Sequence, residues 1–201
     1  MRVPDHILVT GFGPFPGVDD NPTASLLRAL RKDNSHCETR LLTLPVSFDH
    51  VLTDVIAAYQ AHHPTKILHL GVATESNRIR IETNAYNHIQ ARVPDIEGRQ
   101  PRNARINRAK PSSDLLLGSP SAERLVDSLN DHDLPAATST DAGRYVCNAL
   151  FYASLSRFGA STEVSFVHVP AVETPYPDSP SNQIWTHECL SRALEIIVRA
   201  L

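Results

Sequence analysis

AATSTDAGRYVCNALFYASLSRFGASTEVSFVHV, residues 136–169, contains one complete passage of strand, helix and return strand. AATST (136–140) reads as a strand, and Asp-Ala-Gly (141–143) is a turn signal. The apolar segment that begins around Cys147 reads as a helix, and VSFVHV (164–169) is an apolar run of buried-strand type. A βαβ passage of this length returns the chain beside its start. A cysteine at the head of the helix and a histidine at the end of the next strand, Cys147 and His168, could then touch.

The same alternation extends outward. HILVT (6–10) and KILHLG (66–71) are apolar runs that stop at Gly11 and Gly71, and ETRLLTL (38–44) is another strand. Asn21-Pro22 opens a helix, with Asn as N-cap and Pro at its first position. Ser47 is expected to cap the next helix, whose face carries Phe48, Val51, Leu52, Val55, Ile56 and Tyr59 and which Pro64 ends. RIRIETNAYN (78–87) is more polar and reads as an edge strand or hairpin. Residues 121–130 form a helix with Leu125, Val126 and Leu129 inward. A last helix runs from about Asn182 to the end, with Trp185, Cys189, Leu190, Leu194, Ile197, Val198 and Leu201 on one face. Strands alternating with helices predict an α/β fold built on a mostly parallel twisted sheet, as one domain over 1–201.

Composition fits that class. At 201 residues and 41% hydrophobic, the chain is long enough to bury roughly 70% of its unfolded surface. A net charge of −3 gives no general reason to expect nucleic acid or a membrane. Five basic residues, Arg99, Arg102, Arg105, Arg108 and Lys110, cluster without an acidic neighbour, but no aromatic is interleaved for base stacking. A solvated loop or a subunit contact is the better reading, so no nucleic-acid partner is expected. Three cysteines, Cys37, Cys147 and Cys189, make no disulfide framework. The N-terminus lacks a secretory signal pattern and no apolar run reaches the ~20 residues of a membrane span, so a cytoplasmic protein is expected.

In a parallel sheet, ligands bind beyond the carboxyl ends of the strands. The loop Gly11-Phe12-Gly13-Pro14-Phe15, then Gly71, Cys147 and His168, all fall at or just after predicted strand ends. An adjacent imidazole and a helix N-terminus both lower a thiol's pKa and supply a reactive thiolate. A carboxylate or amide must then orient the imidazole. Glu82 and Asp141 are both candidates, and spacing does not decide between them. The bland readings are core filler for Cys147, a structural histidine at 168, a solvated Glu82 and a turn-forming Asp141. The glycine loop does not match the dinucleotide fingerprint, and Pro14 removes an N–H that a phosphate would use. Phe12 and Phe15 look like apolar plates.

Four motifs occur in order: VTGFGPF with the later NP, ARVPDIEG, DAGRYVCN with FY, and FVHVP. Together they resemble the pyroglutamyl peptidase type I family of cysteine peptidases, from about residue 6 to 170. The resemblance implies an α/β/α sandwich, a Cys147–His168–Glu82 triad, no metal and no cofactor, and peptides with N-terminal pyroglutamate as substrates. It assigns Phe12, Phe15 and Asn21 to the pyroglutamyl ring and places Arg92 near the site. Gly71, Val72, Tyr145 and Val146 complete the expected substrate-binding set, and a homo-oligomer, dimer or tetramer, is expected. Val72-Ala73-Thr74-Glu75 departs from the Gln-Ala-Gly-Gly of many members, and Tyr145 stands where many have phenylalanine. A phosphorylase-like enzyme or a catalytically silent small-molecule binder on a similar sheet are the alternatives.

Overall fold

The computed structural model describes residues 6–15, 18, 21–31, 38–177 and 183–201. Cys37 and Asn182 lie outside them. The elements are β1 (His6–Phe12), α1 (Pro22–Leu30), β2 (Glu38–Leu44), α2 (Val51–His62), β3 (Lys66–Ala73), β4 (Ile79–Glu82), β5 (Asn84–Tyr86), β6 (Leu115–Leu117), α3 (Ala122–Asn130), β7 (Ala136–Ser139), α4 (Val146–Phe158), β8 (Glu163–Pro170) and α5 (His187–Ala200). Six strands form one sheet in the order β2-β1-β3-β8-β4-β7, and β5 pairs with β6 apart from it.

The two faces of the sheet bury separate cores because side chains alternate along each strand. Ile7, Val9, Leu68, Leu70, Ile79, Ile81, Val167 and Val169 pack with residues of α1, α3 and α5. Leu8, Phe12, Ile67, Val164 and Phe166 pack with α2 and α4 on the other side. This is the expected α/β/α layering. The alternation also puts His69, Arg80, Glu82 and His168 on the α4 side, where Cys147 begins its helix.

Four expectations change. First, the polar segment 78–87 is no edge. β4 lies between β8 and β7, parallel to β7 and antiparallel to β8. Its polar residues face an ion-paired interior, so polarity there does not mean exposure. Second, β8 does not return beside β7, because β4 separates them and β7 runs opposite to β8. The segment 140–145 brings the chain back before α4. Third, Ser47 does not cap α2 directly. Its Oγ accepts from the N–H of Asp49 and His50 in a turn, and the helix starts at Val51. Fourth, α5 starts at His187, with Thr186 Oγ1 accepting from Cys189 N. Trp185 precedes the helix, held extended by backbone bonds to Glu173 and Thr174.

The strand order reverses at β1. β1 pairs with β2 on one side and β3 on the other, reached through α1 and α2 on opposite faces. The β1–β3 ladder ends at Thr10↔His69, while β1–β2 continues to Phe12↔Leu44 and β3–β8 to Ala73↔Pro170. A crevice therefore opens between β1 and β3 at their carboxyl ends, where such sheets bind ligands.

Candidate active site

A small apolar cavity of about 170 Å³ occupies that crevice, lined by Phe12, Phe15, Asn21, Val46, Val72, Ala142, Tyr145, Val146, Cys147 and His168. β1 supplies Phe12, β3 Val72, β8 His168 and the head of α4 Val146 and Cys147. Its size is below the ~300–1,000 Å³ usual for drug-sized ligands, so it suits one small ring.

His168 is the hub. Its Nδ1 lies 2.8 Å from Glu82 Oε1, and Cys147 lines the same small cavity as the imidazole. The β4–β8 register explains the first contact. Arg80 stands opposite His168 and Glu82 opposite Phe166, so Glu82 is the diagonal neighbour of His168 on one face. Glu82 is fully buried. Burial alone pushes the His168 pKa down, but the hydrogen bonds and negative charges of Cys147 and Glu82 outweigh it and lift it to about 9. That arrangement favours the imidazolium form of His168.

Asp141 is elsewhere. It is exposed, accepts from Gly143 N at 3.0 Å, and pairs with Arg144 at 2.5 Å. Of the two carboxylates left open by spacing, only Glu82 meets His168.

The remaining expected residues divide by position. Gly71 lies under His168 and not in the cavity wall: a β-carbon there would stand 2.8 Å from the ring's Cδ2. Asn21 lines the cavity, but its side chain is engaged. Oδ1 accepts from Thr23 N at 3.1 Å, and Nδ2 donates to Gly13 O at 3.1 Å. Its capping role thus braces the Phe12–Phe15 loop. Tyr145 packs edge-on against Phe48 with centroids 5.3 Å apart and donates to Pro94 O at 2.9 Å. Burial first, then the charges of Asp95 and Cys147, raise its pKa to about 12, so it stays a neutral donor. Arg92 is outside the small cavity. It is exposed and lines an adjoining cleft of about 510 Å³ that shares Ala142, Tyr145 and His168.

Two further residues at the site are not among the candidates drawn from the sequence. Arg80 Nη2 lies 3.1 Å from Glu82 Oε1. The period-2 rule applied to Glu82 would have found it. Asn148, buried next to Cys147, accepts from Tyr86 N at 2.9 Å and donates to Tyr86 O and His88 O, tying the head of α4 to the segment after Glu82. Among the described residues no group of three or more His, Cys, Asp or Glu side chains is placed to hold a metal ion.

A family model described as pyroglutamyl peptidase matches residues 5–201. The chain belongs to the pyroglutamyl peptidase family. Among curated relatives, a pyrrolidone-carboxylate peptidase of Streptococcus suis is 30% identical, covering 97% of this chain and 91% of the relative. One from Brevibacillus brevis is 33% identical over 97% and 88%. Among solved structures, the pyrrolidone carboxyl peptidase of Fervidobacterium islandicum AW-1 superposes with a TM-score of 0.87 at 29% identity, covering 96% of each chain. The pyroglutamyl peptidase I of Bacillus amyloliquefaciens gives 0.84 at 28%, covering 98% and 97%. The α/β fold and the pyroglutamyl peptidase type I enzyme class implied by the sequence motifs are those of this family. No helix among the described residues is long and apolar enough to cross a membrane.

Proposed function

We propose that this member of the family removes N-terminal pyroglutamate from peptides, with Cys147 as nucleophile, His168 as general base and acid, and Glu82 as the group that orients His168. The observation that carries the proposal is one imidazole that bonds a buried carboxylate and shares the wall of a small apolar cavity with a thiol at the head of a helix.

In this reading the pyroglutamyl ring sits between Phe12 and Phe15. The Cys147 thiolate attacks the carbonyl that joins the ring to the next residue and forms a C–S bond. The tetrahedral oxyanion lies at the N-terminus of α4, whose first N–H groups have no intrahelical acceptor. Tyr145, its N-cap, supplies no capping side chain to compete for them. One such donor is worth about 3 kcal/mol to the transition state. As the C–N bond breaks, His168 gives its proton to the departing amine. His168, now neutral, then takes a proton from water, which attacks the thioester and releases pyroglutamate and the thiolate.

Two aromatic faces accept a lactam and a proline ring alike, so selectivity rests on polar partners for the lactam N–H and C=O. The backbone of β3 beyond His69 supports this, since the β1 ladder no longer pairs it. The test is turnover of pyroglutamyl, prolyl and glutaminyl chromogenic amides. The reading requires hydrolysis of the first and none detectable of the others. No hydrolysis of the pyroglutamyl amide, or phosphate-dependent turnover of another substrate, would overturn it.

A further inference from the structure

Arg80 is not accounted for by the triad, yet it touches it. Glu82 Oε1 accepts from His168 Nδ1 at 2.8 Å and lies 3.1 Å from Arg80 Nη2 as an ion pair, while Glu82 Oε2 is buried with no hydrogen-bond partner. A fully buried carboxylate without a cation is costly and tends to take up a proton instead. His168 can serve as that cation only while protonated. In the proposed cycle it loses its proton to the leaving amine, and at that stage Arg80 is the one permanently charged group on Glu82 among the described residues.

Arg80 is also held in place. Its Nε and Nη2 donate to Ser139 Oγ at 3.2 and 2.7 Å, and Nη2 reaches Asp141 O. Ser139 and Asp141 begin the segment that leads to Cys147. The side chain is 31% exposed and covers the buried Glu82 from the adjoining cleft.

We infer that Arg80 is a positioning residue that keeps Glu82 ionised and aimed at His168 through the whole cycle, and thereby sets the pH range in which the Cys147–His168 pair is competent. This rests on the triad reading above. The groups facing His168 are few. α4 offers Cys147, β4 offers Glu82 and Arg80, and β3 offers only Gly71 beneath the ring. Tyr145 lines both the cavity and the cleft beside the ring and stays a neutral donor, and Glu75, Arg92, Asp141 and Arg144 line the cleft beyond, with Asp141 and Arg144 paired to each other. Loss of the Arg80 charge stabilises the imidazolium, which moves the alkaline limb up. It also makes Glu82 easier to protonate, which moves the acid limb up.

The experiment is the pH profile of kcat/KM for a pyroglutamyl amide with wild type, Arg80→Met, Arg80→Gln and Arg80→Lys, each checked for folding by circular dichroism. The two neutral variants should lose about tenfold or more in kcat, and both limbs should move up by at least ~0.5 pH unit. Arg80→Lys should keep the limbs near wild type. If Arg80→Met does not fold, Arg80→Gln is read in its place. Limbs that stay fixed in the folded neutral variants, or unchanged activity in them, overturn the proposal. Glu82→Gln separates the two readings. If it retains wild-type kcat, the triad assignment fails. If it loses activity while the Arg80 variants leave the limbs fixed, only the Arg80 proposal fails.

Discussion

Gly71 on β3 lies directly beneath the imidazole of His168: a β-carbon at position 71 would stand 2.8 Å from Cδ2 and 3.0 Å from Nε2 of that ring. Gly71→Ala must therefore push the ring or the strand aside. A displacement near 1 Å at a reacting group costs about 100-fold in rate. Gly71→Ala is expected to lower kcat by about that factor while the protein stays folded. Wild-type kcat in Gly71→Ala would show that the ring position carries no catalytic weight.

Glu82 and Asp141 should separate cleanly. Glu82→Gln removes the charge behind His168 and should reduce kcat far more than it changes KM, since the orienting bond matters most in the transition state. Asp141→Asn touches only an exposed turn and should leave kcat within about threefold of wild type, the scatter expected of a surface change worth ±0.5 kcal/mol. The opposite ranking would mean that the orienting carboxylate is misassigned.

Two buried histidines should give stability opposite dependences on pH. His69 bonds Thr10 Oγ1 at 2.7 Å and Ser154 Oγ at 3.0 Å, and burial lowers its pKa from 6.5 to about 3. The unfolded chain takes up that proton below pH 6.5 and the native protein does not. Stability should therefore fall on acidification from 6.5 toward 3, by up to about 1.4 kcal/mol per pH unit from this residue. His168, raised from 6.5 to about 9, works the other way: its contribution is present below 6.5 and is lost as pH rises through 9. Urea unfolding of wild type and His69→Asn across pH 4–7 checks the first window. Identical slopes in the two proteins would contradict it.

Much of this was legible in the sequence, and the exceptions have causes. β1, β2, α1 and α3 lie where apolar runs, Asn21-Pro22 and the 121–130 periodicity put them. The inner place of β4 is not legible, because hydropathy cannot tell a solvated polar face from a buried, ion-paired one. Trp185 sits at helical spacing with Cys189, four residues on, yet backbone pairing to Thr174 and the Thr186 cap exclude it from α5. The direction of β7 relative to β8 depends on β4, far away in sequence, so no local pattern carries it. At the site, Cys147 and His168 were visible from strand-end position. Glu82 needed the family resemblance, because its contact is a diagonal across an antiparallel pair.

Selectivity tests the cavity itself. A site that hydrogen-bonds a buried polar group rejects an analogue lacking it by about 10⁴-fold or more, whereas apolar sandwiching alone discriminates by only ~1–3 kcal/mol. The kcat/KM of a prolyl amide should therefore lie at least about 10⁴-fold below that of the pyroglutamyl amide. Phe12→Ala should weaken pyroglutamyl binding without relaxing the preference. A ratio within about a hundredfold would contradict this account of the pocket.

The central claim is that Cys147 is the nucleophile, and the most direct measurement is its alkylation followed against activity. Cys189, the other described free cysteine, lies on α5 and packs against the core on the opposite face of the sheet from Cys147. Iodoacetamide should modify Cys147 first, activity should fall in step with that single adduct, and Cys147→Ala should be folded and inactive on a pyroglutamyl amide. Full activity in Cys147→Ala, or in protein fully alkylated at Cys147, would contradict the account.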